Sequence, residues 1–466
     1  MNQLNKTILA LSGILPAAAY VQAATPKQPN VIIFFVDDMG YGDTSPFGSK
    51  KNPTPNIQRM AEEGIIHNQF YLSSTNSTPS RAALLTGCYA NTVGMEGKVN
   101  WPMDKRGLDP EETILPEIFK TKGYVTACFG KWHLGDQPEF MPTKQGFDYF
   151  EGLPYSNDMY PLTTRIKFPP LPYIKGEEVV AHVASTECQT LLIQTTTEAT
   201  VDFIRKHKRS PFFIYVPYTA PHLPRFARKE IVDECGGNVL SAQIKEIDDG
   251  VGAVLDALRK MKLDDNTLVI FTSDNGGSAR TSMGGLRGSK AGPVYEGHSR
   301  ASTIVWHPGV VAAGGRSRKI ICSKDILPSL AAYIGADTSI CKPIDGENNL
   351  DVLLGAPEAK SKNDTLYYQL NGIRVGAMKL IKINNRYELY NLERDEGEKK
   401  NIIKDYPAEA EQLKAALTRF SDGVVSNARK AAFVENPTAI LPDAEGVPTL
   451  CEYLKESDIV AIGEDL

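Results

Sequence analysis

Residues 31–38 read VIIFFVDD, an uninterrupted apolar run that ends in two aspartates. A run without polar–apolar alternation is typical of a strand that is buried on both faces of a parallel sheet. Three similar runs follow, separated by stretches with helical periodicity: residues 124–129 (YVTACF), 212–216 (FFIYV) and 267–272 (TLVIFT). Strands that alternate with helices predict an α/β fold, with a mostly parallel sheet flanked by helices.

Each apolar run leads into polar residues that can carry chemistry. Asp37 and Asp38 follow the first run, and the later runs lead into residues 130–133 (GKWH), 220–222 (APH) and 273–276 (SDNG). In open α/β sheets, ligands bind beyond the carboxyl ends of the strands. We therefore expect these residues to converge at one edge of the sheet, although they are far apart in sequence.

Asp37, Asp38, Asp274 and Asn275 all offer oxygen ligands. Hard oxygen donors suit Ca²⁺ or Mg²⁺, whereas zinc prefers nitrogen and sulfur. A divalent cation would also keep three crowded carboxylates ionised. Asp-Asp and Asp-Asn-Gly are common turn formers, and for either pair alone that reading is the stronger one. Their coincidence with nearby lysine and histidine residues favours a metal site.

Four basic residues are further candidates for the site. Lys131 and His133 follow the second run, His222 follows the third, and Lys290 lies in the stretch GSK at 288–290. A solvated surface lysine accounts for Lys290 equally well, so the sequence leaves its location open.

Residues 77–87 read STPSRAALLTG, which predicts the start of a helix. Thr78 suits the N-cap, Pro79 suits the first helical position, and Gly87 suits the C-terminal exit. Capping does not explain Arg81. The helix places Ser77 at its N-terminus, where backbone N–H groups favour an anion.

The whole chain has 466 residues, with 51 Lys and Arg against 56 Asp and Glu, so its formal net charge is −5. Its globular composition excludes a collagen, a coiled coil, a disordered chain and a polytopic membrane protein. The weak acidity argues against nucleic acid as a partner.

Residues 1–24 carry one charge, Lys6, followed by an apolar stretch and the small-residue end VQAA, which is typical of a secretory signal peptide. A membrane anchor is the weaker alternative, because Pro16 interrupts a run that is too short to span a bilayer. We expect no other membrane span.

Seven cysteines without a Cys-x-x-Cys pair leave at least one thiol without an intramolecular partner. Cys88 and Cys128 lie in apolar surroundings and are expected to be buried. A bridge between Cys322 and Cys341 is possible, but the sequence does not decide it.

The run at 77–87 resembles the signature of the type I, formylglycine-dependent sulfatases, and further segments resemble that family in the same order. They are DDMGYGD (37–43), GKWHLG (130–135), APHLP (220–224), SDNGG (273–277), LRGSKAGPVYEG (286–297) and ELYNLERDEGEKKN (388–401). The resemblance implies an alkaline-phosphatase-like fold. One departure is DEGE at 395–398, where the family usually has Asp-Pro-x-Glu.

The resemblance also implies a chemistry. In this family a maturation enzyme oxidises a Cys or Ser to formylglycine, whose hydrate is the nucleophile, and the matching position is Ser77. One Ca²⁺ per site would be bound by Asp37, Asp38, Asp274 and Asn275, close to residue 77. The family's sulfate-binding and proton-transfer positions match Arg81, Lys131, His133, His222 and Lys290. We assign His222 as the acid for the leaving oxygen and His133 as the base.

A serine rather than a cysteine at position 77 resembles sites matured by anaerobic, radical-based machinery. That favours a secreted enzyme in the periplasm of an anaerobic Gram-negative bacterium. An engineered Cys→Ser exchange would read identically and give an inactive protein.

Residues 153–178, rich in Pro and Tyr, predict a loop over the pocket, and an ordinary structural loop is an equally good reading. Asn157, Asp158 and Arg165 are candidate contacts for sugar hydroxyls, and His298 and Arg300 are further candidates. The stretch LPYSNDM is similar to the arylsulfatase A and galactosamine-sulfatase branch. It favours an exo-acting enzyme that removes a 4- or 6-sulfate from galactose or N-acetylgalactosamine of host glycans.

The expected division of the chain is a signal peptide (1–24), a catalytic domain (25–357) and a smaller C-terminal subdomain (358–466). Short β-like runs at 366–369, 373–375, 378–383 and 388–391 precede a helical stretch with Leu413, Leu417 and Phe420 on one face. This pattern predicts an antiparallel sheet plus a helix.

Two alternatives to a sulfatase stay open. A phosphatase or phosphodiesterase of the same superfamily would need additional Asp and His zinc ligands, which the sequence does not show. A sulfoglycan-binding protein with unconverted Ser77 would have the same pocket without catalysis.

Overall fold

The computed structural model describes residues 28–161 and 167–456. The predicted signal peptide and Arg165 lie outside these residues. Among the described residues, no helix combines the length and the apolar character that crossing a bilayer requires.

The strands of the described residues are, in chain order, β1 (Asn30–Val36), β2 (Ile65–Tyr71), β3 (Arg106–Gly107), β4 (Val125–Lys131), β5 (Tyr149–Leu153), β6 (Leu171–Lys175), β7 (Glu178–Val183), β8 (Phe212–Val216), β9 (Thr267–Ser273), β10 (Arg300–Trp306), β11 (Gly315–Ser317), β12 (Ile321–Cys322), β13 (Thr365–Tyr368), β14 (Gly372–Val375), β15 (Met378–Ile383), β16 (Arg386–Asn391) and β17 (Ala432–Phe433).

The α-helices are α1 (Pro55–Glu63), α2 (Ser77–Thr86), α3 (Leu115–Lys120), α4 (Thr186–Gln189), α5 (Leu192–His207), α6 (Lys229–Glu234), α7 (Val239–Lys260), α8 (Glu296–Ser299), α9 (Ile326–Tyr333), α10 (Leu350–Leu353), α11 (Pro407–Asn427) and α12 (Leu450–Glu456).

The main sheet has the strand order β11-β2-β10-β9-β1-β8-β4-β5-β6-β7, and β12 pairs with β2 as an eleventh strand. The strands from β9 to β5 pair in parallel, whereas β10, β6 and β7 join antiparallel to their neighbours. A mostly parallel sheet flanked by helices confirms the predicted fold class.

Burial on both faces explains the unbroken hydrophobicity of β1. Val31, Ile33 and Phe35 belong to the core on one face, together with residues of α2, α3 and α9. The alternate residues Ile32 and Phe34 belong to the opposite core, with residues of α1, α5 and α7. Successive strand residues point to opposite faces, so both sets must be apolar.

The second sheet has the order β13-β14-β15-β16, and all of its pairs are antiparallel. Leu413 and Leu417 of α11 pack on its buried residues, and the ring of Phe420 stacks on Tyr367. The predicted C-terminal sheet and helix are therefore confirmed.

Two local predictions are wrong. Thr78 is not the N-cap of α2: the helix begins at Ser77, with Asn76 as its N-cap. The hydroxyl of Thr78 instead donates to the carbonyl of His133 and accepts from the N–H of Asn100. The segment 153–178 is not one continuous loop, because it contains β6, which pairs with β5 and β7.

The structure pairs Cys188 with Cys451 in a disulfide, which the sequence did not indicate. Cys322 and Cys341 are both free, so they are not bridged. Cys88 and Cys128 are buried, as expected. The disulfide ties α12 to α4, at the end of a segment that returns from the C-terminal sheet to the main sheet.

A buried charge cluster joins the two sheets. Glu296 accepts hydrogen bonds from Tyr71 of the main sheet and from Tyr368 of the second sheet. Lys379 on β15 pairs with both Glu296 and Glu398 at 2.9 Å, and all three side chains are fully buried. The lysine is therefore shared between two carboxylates at this joint, and Glu296 has Arg300 as a second cation.

We predict that Lys379→Met destabilises the protein by about 3–5 kcal/mol, because it leaves two buried carboxylates without their shared cation. Lys382→Met is the matched control, since Lys382 is exposed on the same strand. Chemical denaturation followed by circular dichroism measures both free energies of unfolding. Equal values for the two variants would show that the cluster does not join the sheets.

Candidate active site

The carboxyl ends of β1, β4 and β9 bring three charged residues together. Asp37 directly follows β1, Lys131 is the last residue of β4, and Asp274 directly follows β9. Strands β1 and β9 pair in register up to Val36 and Ser273, so the two aspartates begin at the same level. The predicted convergence at one edge of the sheet is what the structure shows.

The four predicted oxygen donors are neighbours. The N–H of Asp38 donates to Asp274 Oδ1 (3.1 Å), and Asn275 Nδ2 donates to Asp38 Oδ1 (2.6 Å). Carboxylate oxygens of Asp37 and Asp38 and a ring nitrogen of His222 all lie within 4.8 Å of one another. The residues therefore form one acidic cluster rather than separate turns.

Each carboxylate of this cluster also faces a cation. Lys131 Nζ lies 2.5 Å from Asp37 Oδ2, and Arg81 Nη2 lies 2.9 Å from Asp274 Oδ2. Lys290 Nζ lies 2.7 Å from Asp38 Oδ1, which settles its location in the site. Three carboxylates and three cations balance in charge, so a bound divalent cation would leave the pocket positive and suited to an anion.

Ser77 lies at the centre of this cluster. Its hydroxyl donates to Asp37 Oδ1 (3.1 Å), and Lys131 Nζ lies 3.5 Å from Ser77 Oγ. As the first residue of α2, it stands where free backbone N–H groups and the helix dipole favour negative charge.

Two histidines line the same region. His133 Nε2 lies 2.9 Å from the carbonyl oxygen of Asn100. His222 Nε2 lies 3.7 Å from Asp38 Oδ2. In both rings Nδ1 is buried, and no described residue hydrogen-bonds to it. Each imidazole thus keeps one nitrogen available for a substrate or a proton.

Burial and neighbouring charges shift the pKa values of the two deepest carboxyls in opposite directions. Burial acts to raise the pKa of Asp37, but Lys131, His222 and Arg81 outweigh it and hold that pKa well below its usual range. Burial raises the pKa of Asp274 to about 7, and the charge of Asp37 adds to the rise. Of these two carboxyls, Asp274 is therefore the one that protonates more easily.

The histidines are shifted towards their neutral forms. Burial lowers the pKa of His222, although Asp38 opposes the shift. Burial, reinforced by Lys131 and Arg81, holds the pKa of His133 well below its usual range. Before a substrate binds, both shifts favour the neutral imidazole.

The donor set fits a hard divalent cation. Asn275 Oδ1 is buried, and no described residue hydrogen-bonds to it. An orphaned buried amide oxygen beside three carboxylates is what a Ca²⁺ or Mg²⁺ ligand would be without its ion.

Two residues of the site were not singled out from the sequence. Ser156 Oγ accepts a hydrogen bond from Lys131 Nζ (3.2 Å). The carbonyl of Asn100 faces His133, as described above. Ser156 lies within the quoted stretch LPYSNDM and could have been found there. A contact made through a backbone carbonyl leaves no sequence signal.

The predicted substrate contacts have different surroundings. Asn157 is buried, and its Nδ2 donates to Gln189 Oε1, while its Oδ1 has no hydrogen-bond partner among the described residues. Asp158 is partly exposed on the same loop. Asn157 and Asp158 stay candidates, whereas Arg165 lies outside the described residues.

His298 and Arg300 are both occupied by protein partners. The ring nitrogens of His298 lie against the carbonyls of Pro293 and Thr75. Arg300 is 2% exposed and pairs with Glu296 at the joint between the sheets. We do not retain either side chain as a substrate contact.

Fold and site together define a hydrolase of anionic esters with an alkaline-phosphatase-like architecture. Residues 29–336 match the sequence profile of the family described as Sulfatase. The chain is 34% identical to arylsulfatase A of Bos taurus, covering 76% of this chain and 72% of that protein. It is 32% identical to N-acetylgalactosamine-6-sulfatase of Rattus norvegicus, covering 73% and 68% respectively.

A solved structure agrees with these relatives. Ps i-CgsB in complex with k-i-k-neocarrahexaose has a TM-score of 0.75 and 27% identity, covering 87% of this chain and 94% of that one. The chain belongs to the sulfatase family, and it is a sulfuric ester hydrolase.

We predict that a saturating divalent cation raises the Tm of the protein by several degrees, because it binds the folded carboxylate cluster and not the unfolded chain. Asp38→Asn should remove most of this rise. The control is Asp43→Asn, because the Asp43 carboxylate accepts hydrogen bonds from the backbone N–H groups of Gly40 and Ser282. A Tm that does not respond to the cation, or an equal rise in both variants, would contradict a metal site here.

Proposed function

We propose that the protein is an exo-acting carbohydrate sulfatase that uses a formylglycine made from Ser77 and one Ca²⁺. The observation that carries the proposal is the position of Ser77 Oγ, at a helix N-terminus and within hydrogen-bond reach of both Asp37 and Lys131. A serine serving only as a helix cap would not be expected between a buried carboxylate and a buried lysine.

Conversion of Ser77 replaces CH₂OH by CHO and removes two hydrogens. A radical-based maturation enzyme with an external electron acceptor would accept them, since the chain itself has no oxidant. The hydrated aldehyde carries two hydroxyls on one carbon. One would attack the sulfur, and the second, which a serine side chain lacks, would allow the sulfate to be released afterwards.

The residues that would hold Ca²⁺ are Asp37, Asp38, Asp274 and Asn275. When bound, the ion lowers the pKa of an adjacent hydroxyl and offsets the charge of a sulfate.

Arg81, Lys131 and Lys290 are the proposed sulfate clamp. Arg81 is held rigidly, because its Nη1 also donates to the carbonyl of Lys131. Lys131 is held by Asp37 and Ser156. Groups fixed before the substrate arrives stabilise the charge that redistributes over the sulfate oxygens without a cost of reorganisation.

His222 is the proposed acid for the leaving sugar oxygen, and His133 is the proposed base. A sugar alkoxide is strongly basic, so its departure needs a proton. His222 is near Asp38, which stabilises its protonated form, and its side chain is 13% exposed. His133 is buried beside Lys131, and the positive charge of that lysine disfavours protonation of the imidazole. His133 is therefore better suited to the role of base, in which it holds a proton only transiently.

The proposed substrate is galactose or N-acetylgalactosamine carrying a 4- or 6-sulfate at the end of a host glycan chain. N-acetylgalactosamine-6-sulfatase among the relatives supports the amino sugar, and the k-i-k-neocarrahexaose in the similar structure supports a carbohydrate substrate. Asn157 and Asp158 are the proposed hydroxyl contacts. The predicted signal peptide at 1–24 supports export to the periplasm. Serine rather than cysteine at position 77 supports an anaerobic Gram-negative bacterium as the source.

A phosphatase of the same superfamily is the second candidate, but its zinc ligands are not evident. Among the described residues, one acidic metal-binding group is found, and its single histidine is His222.

Peptide mass spectrometry tests the conversion. We expect the tryptic peptide 60–81, from protein made in its native host, to be lighter by about 2 Da than its sequence mass, with the loss at position 77. Ser77→Ala provides the matched peptide that cannot be converted. An unmodified Ser77 in protein that hydrolyses sulfate esters would contradict the proposed nucleophile, and one in inactive protein would favour the binding-protein alternative.

His222→Ala tests the proposed acid. We expect kcat for a sulfated sugar to fall by about 10²- to 10⁴-fold, with a much smaller fall for nitrophenyl sulfate, whose leaving group needs no proton. The control is His207→Ala, a partly exposed histidine at the end of α5. Equal losses on both substrates, or unchanged turnover of the sugar, would refute the role.

A further inference from the structure

The chain has three tryptophans, and one of them differs sharply in its surroundings. Trp132 and Trp306 are fully buried, whereas Trp101 is 43% exposed. The indole N–H of each buried tryptophan donates to a protein oxygen. No described residue accepts a hydrogen bond from the indole N–H of Trp101. A large exposed aromatic ring with an unused donor is a common feature of ligand-binding surfaces.

The loop that carries Trp101 is held rigidly. The guanidinium of Arg106 donates to the carbonyls of Glu96 and Lys98 and to Asn100 Oδ1. The backbone N–H of Trp101 donates to Asp104 Oδ2 (2.9 Å). These bonds fix the loop on both sides of the tryptophan.

The indole ring itself is supported from one side. Phe168 meets it edge-on, with ring centroids 5.9 Å apart. A ring already fixed in place loses little conformational entropy when a ligand stacks on it.

The same loop contacts the proposed catalytic groups through the residue preceding Trp101. The carbonyl of Asn100 lies 2.9 Å from His133 Nε2, and its N–H donates to Thr78 Oγ1, the neighbour of Ser77. Trp101 is therefore one residue away from direct contacts to the base and to the start of α2. Its exposed ring is therefore carried by a loop that packs against the proposed catalytic groups.

We propose that Trp101 is a sugar-binding platform on which the pyranose ring that carries the scissile sulfate stacks. The proposal rests on the proposed function, because it takes the substrate to be a sulfated carbohydrate. A galacto-configured ring has an apolar face of C–H groups, which packs on an aromatic face, and hydroxyls at its edge that can accept from the indole N–H. The stacking fixes the ring while the charged groups hold its sulfate.

Tryptophan fluorescence tests the binding directly, without turnover. N-acetylgalactosamine and galactose, the desulfated products, are titrated into the protein. Because the other two tryptophans are buried, we expect a saturable change in emission that comes from Trp101 and that Trp101→Phe removes. An unchanged emission at ligand concentrations that inhibit the enzyme, or a change that persists in Trp101→Phe, would overturn the proposal.

Kinetics separate a platform from a structural role. We expect Trp101→Ala to raise KM for the sulfated sugar and the inhibition constant of the product sugar by about tenfold, with kcat little changed and Trp101→Tyr close to wild type. The inhibition constant of inorganic sulfate should stay the same, since sulfate fills only the charged pocket. Tyr149→Ala is the control, because Tyr149 is equally exposed and also packs edge-on against a phenylalanine, Phe203.

The experiments distinguish failure of the Trp101 platform from failure of the proposed function. If wild type desulfates the sugar and Trp101→Ala keeps its KM, the platform is refuted and the proposed function stands. If Trp101→Ala does not fold, Trp101→Leu and the fluorescence titration decide the matter. If wild type does not desulfate any sugar while fluorescence still reports sugar binding at Trp101, the proposed function fails, and Trp101 is a sugar-binding residue without a role in desulfation.

Discussion

The repulsion among Asp37, Asp38 and Asp274 is the constraint on which the site depends. Three buried carboxylates at one edge of a sheet are unstable unless positive charge is supplied close by. The chain supplies Arg81 and Lys131 from two different elements, and a third cation from a distant loop. A divalent metal ion would complete the compensation, and the surplus of positive charge would then bind an anion. The same arrangement would therefore relieve the repulsion and form the proposed sulfate pocket.

Most of the fold was predictable because strands buried on both faces have an unmistakable pattern. The run at 31–36 lies within β1, and the run at 212–216 coincides with β8. The convergence of the site residues was predictable as well, because ligands bind beyond the carboxyl ends of the strands in open α/β sheets. That prediction depends only on the direction of the strands. Strand β6 was missed because Pro172 and the surrounding prolines suggested a loop, although the strand is stabilised by its pairing with β5 and β7.

Contacts made by the backbone and by buried ion pairs were not predictable. Thr78 has the sequence features of a helix cap, but its hydroxyl bonds the backbone of two other segments. Arg300 follows a site motif and looked like a substrate contact. The structure buries it against Glu296, because two sheets that are separate in sequence meet there. Which charges become partners across such a joint depends on tertiary packing that local sequence does not encode.

The joint also gives a structural meaning to the segment 388–401, which holds no pocket residue. Glu296 belongs to the segment 286–297, and Glu398 belongs to the segment 388–401, and both are bound by Lys379. The N–H of Glu296 also donates to Glu398 Oε2 (2.6 Å). The segment 388–401 is thus bonded to the end of the segment that carries Lys290, although it holds no pocket residue itself.

The most direct test is the release of inorganic sulfate, measured by ion chromatography, from monosaccharides sulfated singly at positions 2, 3, 4 and 6. The protein is produced together with a radical-based maturation enzyme and supplied with Ca²⁺. We predict sulfate release from a 4- or 6-sulfated galactose or N-acetylgalactosamine, and none with Ser77→Ala. Release of phosphate from a sugar phosphate, with no sulfate from any of the sulfated sugars, would contradict the account.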